Sequence, residues 1–291
     1  MKITDYIPWW VKIASKVVLS RLPASYYLWK KLSLFEHGSM QRPAYAYSIF
    51  KQHFDRIQPP AGFTSLELGP GDSLFSAIIT KAFGGSSSYL VDTGNYATKD
   101  VESYKVMIGF LQDKGLAVDP TWTNWQSVSD VLDSCSAHYL TSGLSSLKSI
   151  PDNSVDFVFS QAVLEHIRKN EFLDMMKELR RIIKNTGYCS HTIDLKDHLG
   201  GNLNNLRFTE GIWESDFMVR SGFYTNRIRY SEMLDLFQKA NFQIQSIETK
   251  RWEKLPTARG NLALPFKNMT DEELMVAEFV AILKPVDFEL L

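Results

Sequence analysis

The chain has 291 residues, 44% of them hydrophobic and 22% charged, with a formal net charge of −1. This is the composition of a globular protein with ample core, and one elaborated domain fits the length better than two. The balanced charge argues against nucleic acid as partner, which would call for a basic stripe or a high pI.

Residues 9–20 carry the first helical pattern. Trp10, Ile13, Ala14 and Val17 share one face and Lys12 and Lys16 another; Pro8 suits the first turn and Pro23 ends the run. A second short helix is predicted over 25–34, where Tyr26, Tyr27, Leu28, Trp29 and Leu32 accompany Lys30 and Lys31. Residues 1–42 hold seven basic side chains against Asp5 and Glu36, so the segment is locally positive. Lys12 and Lys16 interrupt Trp9–Leu19 and argue against a signal peptide, and no apolar run approaches the ~18–20 residues that cross a bilayer. Residues 1–58 therefore read as a helical lid or anchor. Two roles stand: packing as a lid or as the interface of a homo-oligomer, and peripheral contact with the inner face of an anionic membrane. Cys135 and Cys189 read as reduced thiols of a cytoplasmic protein. His37, beside Gly38, defaults to the surface.

A helix is predicted over 44–56, and then the pattern changes. Ser65-Leu66-Glu67-Leu68-Gly69-Pro70-Gly71-Asp72-Ser73 reads as a short buried strand that breaks into a glycine turn and then a helix from Leu74 to Ala82. About twenty residues later Ser88-Tyr89-Leu90-Val91-Asp92 reads as a second strand ending in a carboxylate. Glycine lets the backbone approach a ligand closely, and an acid at the end of the next strand can accept hydrogen bonds from a ribose diol. Asp72 places negative charge where a dinucleotide would put its pyrophosphate, which suits a cationic ligand better. Further strands are predicted near 137–141, 155–160 and 187–194, with helices from Val101 to Lys114 and Leu173 to Ile183. Thr186-Gly187-Tyr188 is read as a glycine stop. The rhythm is that of a doubly wound parallel sheet.

The Glu-x-Gly-x-Gly segment at Glu67, Gly69 and Gly71 resembles the first motif of class I S-adenosylmethionine-dependent methyltransferases, and Asp92 matches their ribose-binding acid. Ile150 to Ile167, with Gln161 at the strand end and the Leu164-Glu165-His166 turn after it, resembles the fourth-strand region of the same family. The resemblance covers roughly residues 60–195. It implies an α/β fold: a mostly parallel, seven-stranded Rossmann-like sheet over residues 59–291 with an N-terminal helical extension. It also implies S-adenosylmethionine as cofactor, held by Glu67, Gly69, Gly71, Asp72, Asp92 and Gln161. Ser73 stands where the family has a third glycine. Ser142, Gly143 and Leu144 stand where many members carry an adenine-binding acid.

A helix from Tyr230 to Ala240 and strands over Phe242–Lys250 and Glu278–Lys284 would close the sheet with a reversed pair. Between strand five and that helix lies a long excursion, 196–230, on the substrate side. His198 with Asp194 or Asp197 offers an imidazole base and an orienting carboxylate at the strand end. The alternatives are a turn that only caps a loop and a divalent-metal site holding two substrate hydroxyls; no metal ligand is assigned. Arg227, Arg229 and Tyr224 are candidates for binding a sugar or anionic group, while His166 and His191 are read as structural. The chain is also similar to bacterial methyltransferases of surface-polysaccharide biosynthesis, which implies O-methylation of a sugar or glycan. The rival readings are a small-molecule or natural-product N- or O-methyltransferase and a non-catalytic S-adenosylmethionine-binding homologue.

Overall fold

The computed structural model describes residues 8–19 and 39–286. Seven strands, β1 (Thr64–Leu68), β2 (Ser87–Val91), β3 (Ala137–Leu140), β4 (Val155–Gln161), β5 (Ile183–Asp194), β6 (Phe242–Arg251) and β7 (Val276–Pro285), form one sheet in the order β3-β2-β1-β4-β5-β7-β6. The first five are parallel, and β7 runs antiparallel to both β5 and β6. β1 and β4 lie side by side although 86 residues of chain separate their ends, so the strand order reverses between them. Ligands of open α/β sheets bind at such a reversal, beyond the carboxyl ends of the strands.

Both faces of the sheet are covered, so its inner strands are apolar nearly throughout. Side chains alternate along β4. Phe157 and Phe159 join the core that holds Phe50 of α2 (Pro43–Ile57), Ile78 of α3 (Phe75–Ala82) and Tyr104 of α4 (Val101–Asp113). Val158 joins the opposite core, with Met176 and Leu179 of α5 (Phe172–Ile182) and Phe237 of α6 (Tyr230–Lys239). The short helices Val128–Ser134 and Leu144–Lys148 are not predicted by the sequence pattern. At 7 and 5 residues they are too short for a helical period to register.

One boundary is corrected. No glycine stop separates α5 from β5; the strand begins at Ile183 and runs through Gly187. A Cβ at Gly187 would sit 2.8 Å from the Asp156 carbonyl oxygen, so this glycine permits close strand pairing beside the register shift between Val155 and Phe157.

The 196–230 insertion folds into short helical turns around the buried indole of Trp213, packed with Leu199, Met218, Phe223 and Tyr224. The N-terminal helix α1 (Trp9–Leu19) lies on this cluster through Trp9 and Ile13. The Trp9 ring meets Phe208 edge-on at 6.2 Å, and the Arg207 guanidinium lies 5.0 Å from its centroid. Among the described residues no helix is long and apolar enough to cross a membrane. The helix predicted over 25–34 and the loop at His37 lie outside the described residues.

Two buried histidines stitch α2, β4 and β5 together. His53 Nδ1 pairs with the Ser190 hydroxyl at 2.7 Å, and His191 Nδ1 with the Ser160 hydroxyl at 2.8 Å. Burial holds the His53 pKa down to about 4, aided by Arg56, and that of His191 to about 3, aided by His53. The unfolded chain takes up these protons near the ordinary value of 6.5, while the folded chain resists them. Stability from this pair is therefore complete above pH 6.5 and lost as pH falls toward 4, on the order of 3 kcal/mol per histidine. The thermal midpoint should fall steadily below pH 6.5, and His53→Gln and His191→Gln should flatten that decline. A midpoint equally pH-dependent in both variants would contradict this account.

Candidate active site

At the reversal, Gly69 and Gly71 adopt φ of +69° and +64°, a region that costs side-chain-bearing residues strain. Gly69 has a second constraint: a Cβ there would lie 2.5 Å from Cγ2 of Val163. The turn thus presses against the segment that leaves β4. Asp92 lashes it from the other side, its carboxylate accepting from the Gly71 amide at 3.1 Å and the Thr93 amide at 2.7 Å. Ser73 donates its hydroxyl to the Met40 carbonyl at 2.5 Å, which gives the departure from the third glycine a use: it ties the turn to the chain entering α2. Asp72 is fully buried, and its carbonyl accepts from the Thr98 amide at 2.9 Å. Gly143 follows β3 with φ +52° and donates to the Asp92 carbonyl at 2.8 Å.

Glu67 is buried beneath this turn, and its Oε2 has no hydrogen-bond partner among the described residues. Burial pushes its pKa up to about 8, against the pull of the Ser76 hydroxyl and with the push of Asp92. An orphaned acid below a backbone cradle suits a ligand that brings positive charge and nucleoside hydroxyls. Gln161 ends β4, followed by Ala162 at φ +54°, and lines a polar cavity of about 320 Å³ together with Gln52, Arg56, Thr192 and Glu278.

The second half of the site follows β4 and β5. Glu165, His166 and His198 converge there, with one potential ligand atom from each lying within 4.8 Å of the others. The two imidazoles meet edge-on at 4.7 Å. Glu165 is 1% exposed, and neither of its carboxylate oxygens reaches a hydrogen-bond partner among the described residues. Burial drives its pKa well above the carboxylate range, and the nearby amides of Glu165 itself and Asp194 offset only part of that. His166 Nδ1 lies 2.8 Å from the Tyr224 carbonyl, which can only accept, so the proton sits on Nδ1. Asn226 clamps the turn: its side chain donates to the carbonyls of Leu164 and Ile167, and its amide to that of Glu165.

His198 therefore stands where strand-end reasoning puts it, but beside a different carboxylate. Asp197 is turned into the loop, where its two oxygens accept from the amides of Leu199, Gly201 and Asn204 and the Asn204 side chain. Asp194 accepts from the Lys196 amide and pairs with its ammonium at 3.0 Å. The three expected substrate residues are likewise part of the scaffold. Arg227 donates to the Phe208 carbonyl and to Glu210, and lies over the rings of Trp213 and Phe266. Arg229, 1% exposed, donates to the carbonyls of Leu195, Leu274 and Val276. The Tyr224 hydroxyl donates to Glu214 at 2.9 Å. Glu165 and Asn226 are the residues that sequence reasoning missed. The family-like turn held Glu165 and His166 in plain view, yet only the pairing of β4 with β5 brings them to His198.

A methyltransferase-domain family matches residues 66–190, from β1 into β5. Comparison with curated protein sequences gives no match. Among solved structures, the partner chain in a Haloferax volcanii methyltransferase-activator complex is similar at 13% identity and a TM-score of 0.47, over 83% of this chain and 90% of that one. Phosphoethanolamine N-methyltransferase 2 of Haemonchus contortus is similar at 12% identity and a TM-score of 0.45, over 81% of this chain and 52% of that one. An S-adenosylmethionine-dependent methyltransferase from Mesorhizobium loti is similar at 13% identity and a TM-score of 0.42, over 77% and 91%. The family match spans the same strands that carry the glycine turn and its carboxylate, so residues 66–190 are an S-adenosylmethionine-dependent methyltransferase domain.

Proposed function

We propose that the enzyme methylates a hydroxyl group of a sugar or glycan intermediate. The observation that carries this reading is the Glu165–His166–His198 cluster, whose first two members lie on the turn that Gly69 touches through Val163. An amine can shed its proton to water, but a hydroxyl needs a proton acceptor in the site. S-adenosylmethionine supplies, when bound, an electrophilic methyl group on sulfur. Gly69 and Gly71 would offer backbone to the methionyl and ribose portion, Asp92 its carboxylate to the ribose diol, and Glu67 a buried carboxyl from below. The remaining work falls to the chain: orienting the acceptor oxygen in line and receiving its proton at the cluster, with His198 as the half-buried basic group beside Glu165.

The contact between α1 and the insertion supports a lid over the acceptor side rather than a membrane anchor. Trp9 and Ile13 face the protein, and among the described side chains of this helix Trp10, 60% exposed, is a large apolar one left to solvent or to a partner.

Asp92→Ala should weaken S-adenosylmethionine binding by about ten- to a hundredfold, the equivalent of roughly 1.5–3 kcal/mol for lost charge-assisted hydrogen bonds. Isothermal calorimetry that finds undiminished affinity removes Asp92 from the cofactor site. His198→Gln should keep cofactor affinity and lose at least about a hundredfold in turnover on a hydroxyl acceptor, measured as methylated product by mass spectrometry. Unchanged turnover, or a product methylated on nitrogen, would rule out the hydroxyl reading.

A further inference from the structure

We propose that Glu165, His166 and His198 form a site for one divalent transition-metal ion, whose open coordination positions receive hydroxyl oxygens of the acceptor. The role given to the acceptor rests on the proposed function; the ion site itself does not, and an ion held by His198 would acidify the acceptor hydroxyl in place of His198 acting as its base.

The strongest support is the state of Glu165. A carboxylate removed from water is normally paired, hydrogen-bonded or bound to metal. At Glu165 both oxygens are buried and neither has a hydrogen-bond partner among the described residues. The cation whose charge reaches it, Lys196, is engaged by Asp194 at 3.0 Å and by Glu278 at 3.5 Å. Two imidazoles stand where a counter-charge would be needed, and an imidazole offers a metal a lone pair.

The outer contacts are those of a metal-binding histidine. A ligating imidazole donates its other ring N–H to a carbonyl or carboxylate, which fixes tautomer and orientation. His166 does this already: its Nδ1–H donates to the Tyr224 carbonyl, the tautomer in which Nε2 is the nitrogen able to ligate. Asn226 fixes the backbone on both sides of Glu165, so two of the three donors sit on a turn held by three hydrogen bonds. Metal bonds of about 2.0–2.2 Å place donors roughly 3 Å apart, so rotation about side-chain torsions closes a set now spread over 4.8 Å. Two nitrogens and one carboxylate oxygen on one side of an ion favour manganese, iron, cobalt or zinc over magnesium or calcium, and leave positions for oxygen ligands. His198 contributes from the insertion, so ion binding would also join the acceptor loop to the sheet.

The test uses the full chain, stripped with EDTA and dialysed. Titration with Mn²⁺, followed by electron paramagnetic resonance of free and bound ion, should show one ion bound per chain, and Zn²⁺ should displace it. Glu165→Gln, His166→Ala and His198→Gln should each weaken uptake by at least the ~10–100-fold that follows loss of an outer partner of a metal ligand. His198 is half-buried, so its variant keeps the test readable if Glu165→Gln is poorly folded. Calorimetry with S-adenosylmethionine on the stripped protein reports the methyltransferase reading separately. Cofactor binding with no uptake of Mn²⁺ or Zn²⁺, or uptake equal in His198→Gln and wild type, overturns the ion site and leaves the proposed function standing. Ion uptake lost in the variants sustains the site whatever the acceptor proves to be.

Discussion

Everything at the carboxyl edge of this sheet depends on a missing methyl group. Gly69 meets Val163 so closely that a Cβ would stand 2.5 Å from a valine methyl, and its φ of +69° lies in the region where side chains are strained. Because the Gly69 backbone meets the Val163 side chain there, the turn after β1 and the turn after β4 share one wall. The first carries the two positive-φ glycines, and the second carries Glu165 and His166. A one-atom enlargement at residue 69 would push the glycine turn away from the turn that holds Glu165. The rigid packing on both faces of the sheet, with Leu66, Phe157, Val158 and Phe159 all fully buried, gives that wall no slack.

Much of the fold was legible because it is local. The strand runs before Gly69 and Asp92 are short, apolar and bounded by turn residues, and α5 carries its apolar positions at helical spacing. The glycine turn and the strand-end acid were equally legible, since Glu67, Gly69 and Gly71 lie within five residues and Asp92 ends the neighbouring strand. The convergence of Glu165, His166 and His198 was not. Asp194, Asp197 and His198 look like a catalytic run when written in a line, but the chain turns so that Asp197 faces four loop donors while His198 faces a turn 32 residues upstream. Pairings of that separation are set by the sheet register, which no local pattern reports.

The arginines mislead for a related reason. Composition cannot distinguish a guanidinium that awaits an anion from one that holds a loop. Arg227 and Arg229 sit in an aromatic, tyrosine-rich stretch that resembles a sugar-binding surface in sequence. Both are buried, and their terminal nitrogens donate to Phe208, Glu210, Leu195, Leu274 and Val276. Only burial reveals this. The same burial lowers the Arg229 pKa to about 10, a sign of how little water reaches it.

Arg229 binds the ends of segments that would otherwise have no common partner. Its guanidinium reaches the carbonyl after β5, at Leu195, and those at Leu274 and Val276 where β7 begins, while its own backbone opens α6. It works as an internal cation chelated by peptide oxygens. Three chain segments far apart in sequence thus share one electrostatic hub, and none can peel away without exposing or stranding a full charge in the interior. The antiparallel edge of the sheet is consequently not a loosely added flap. It is tied to the end of β5 and the start of α6 through one buried side chain, so loss of Arg229 would loosen all three together.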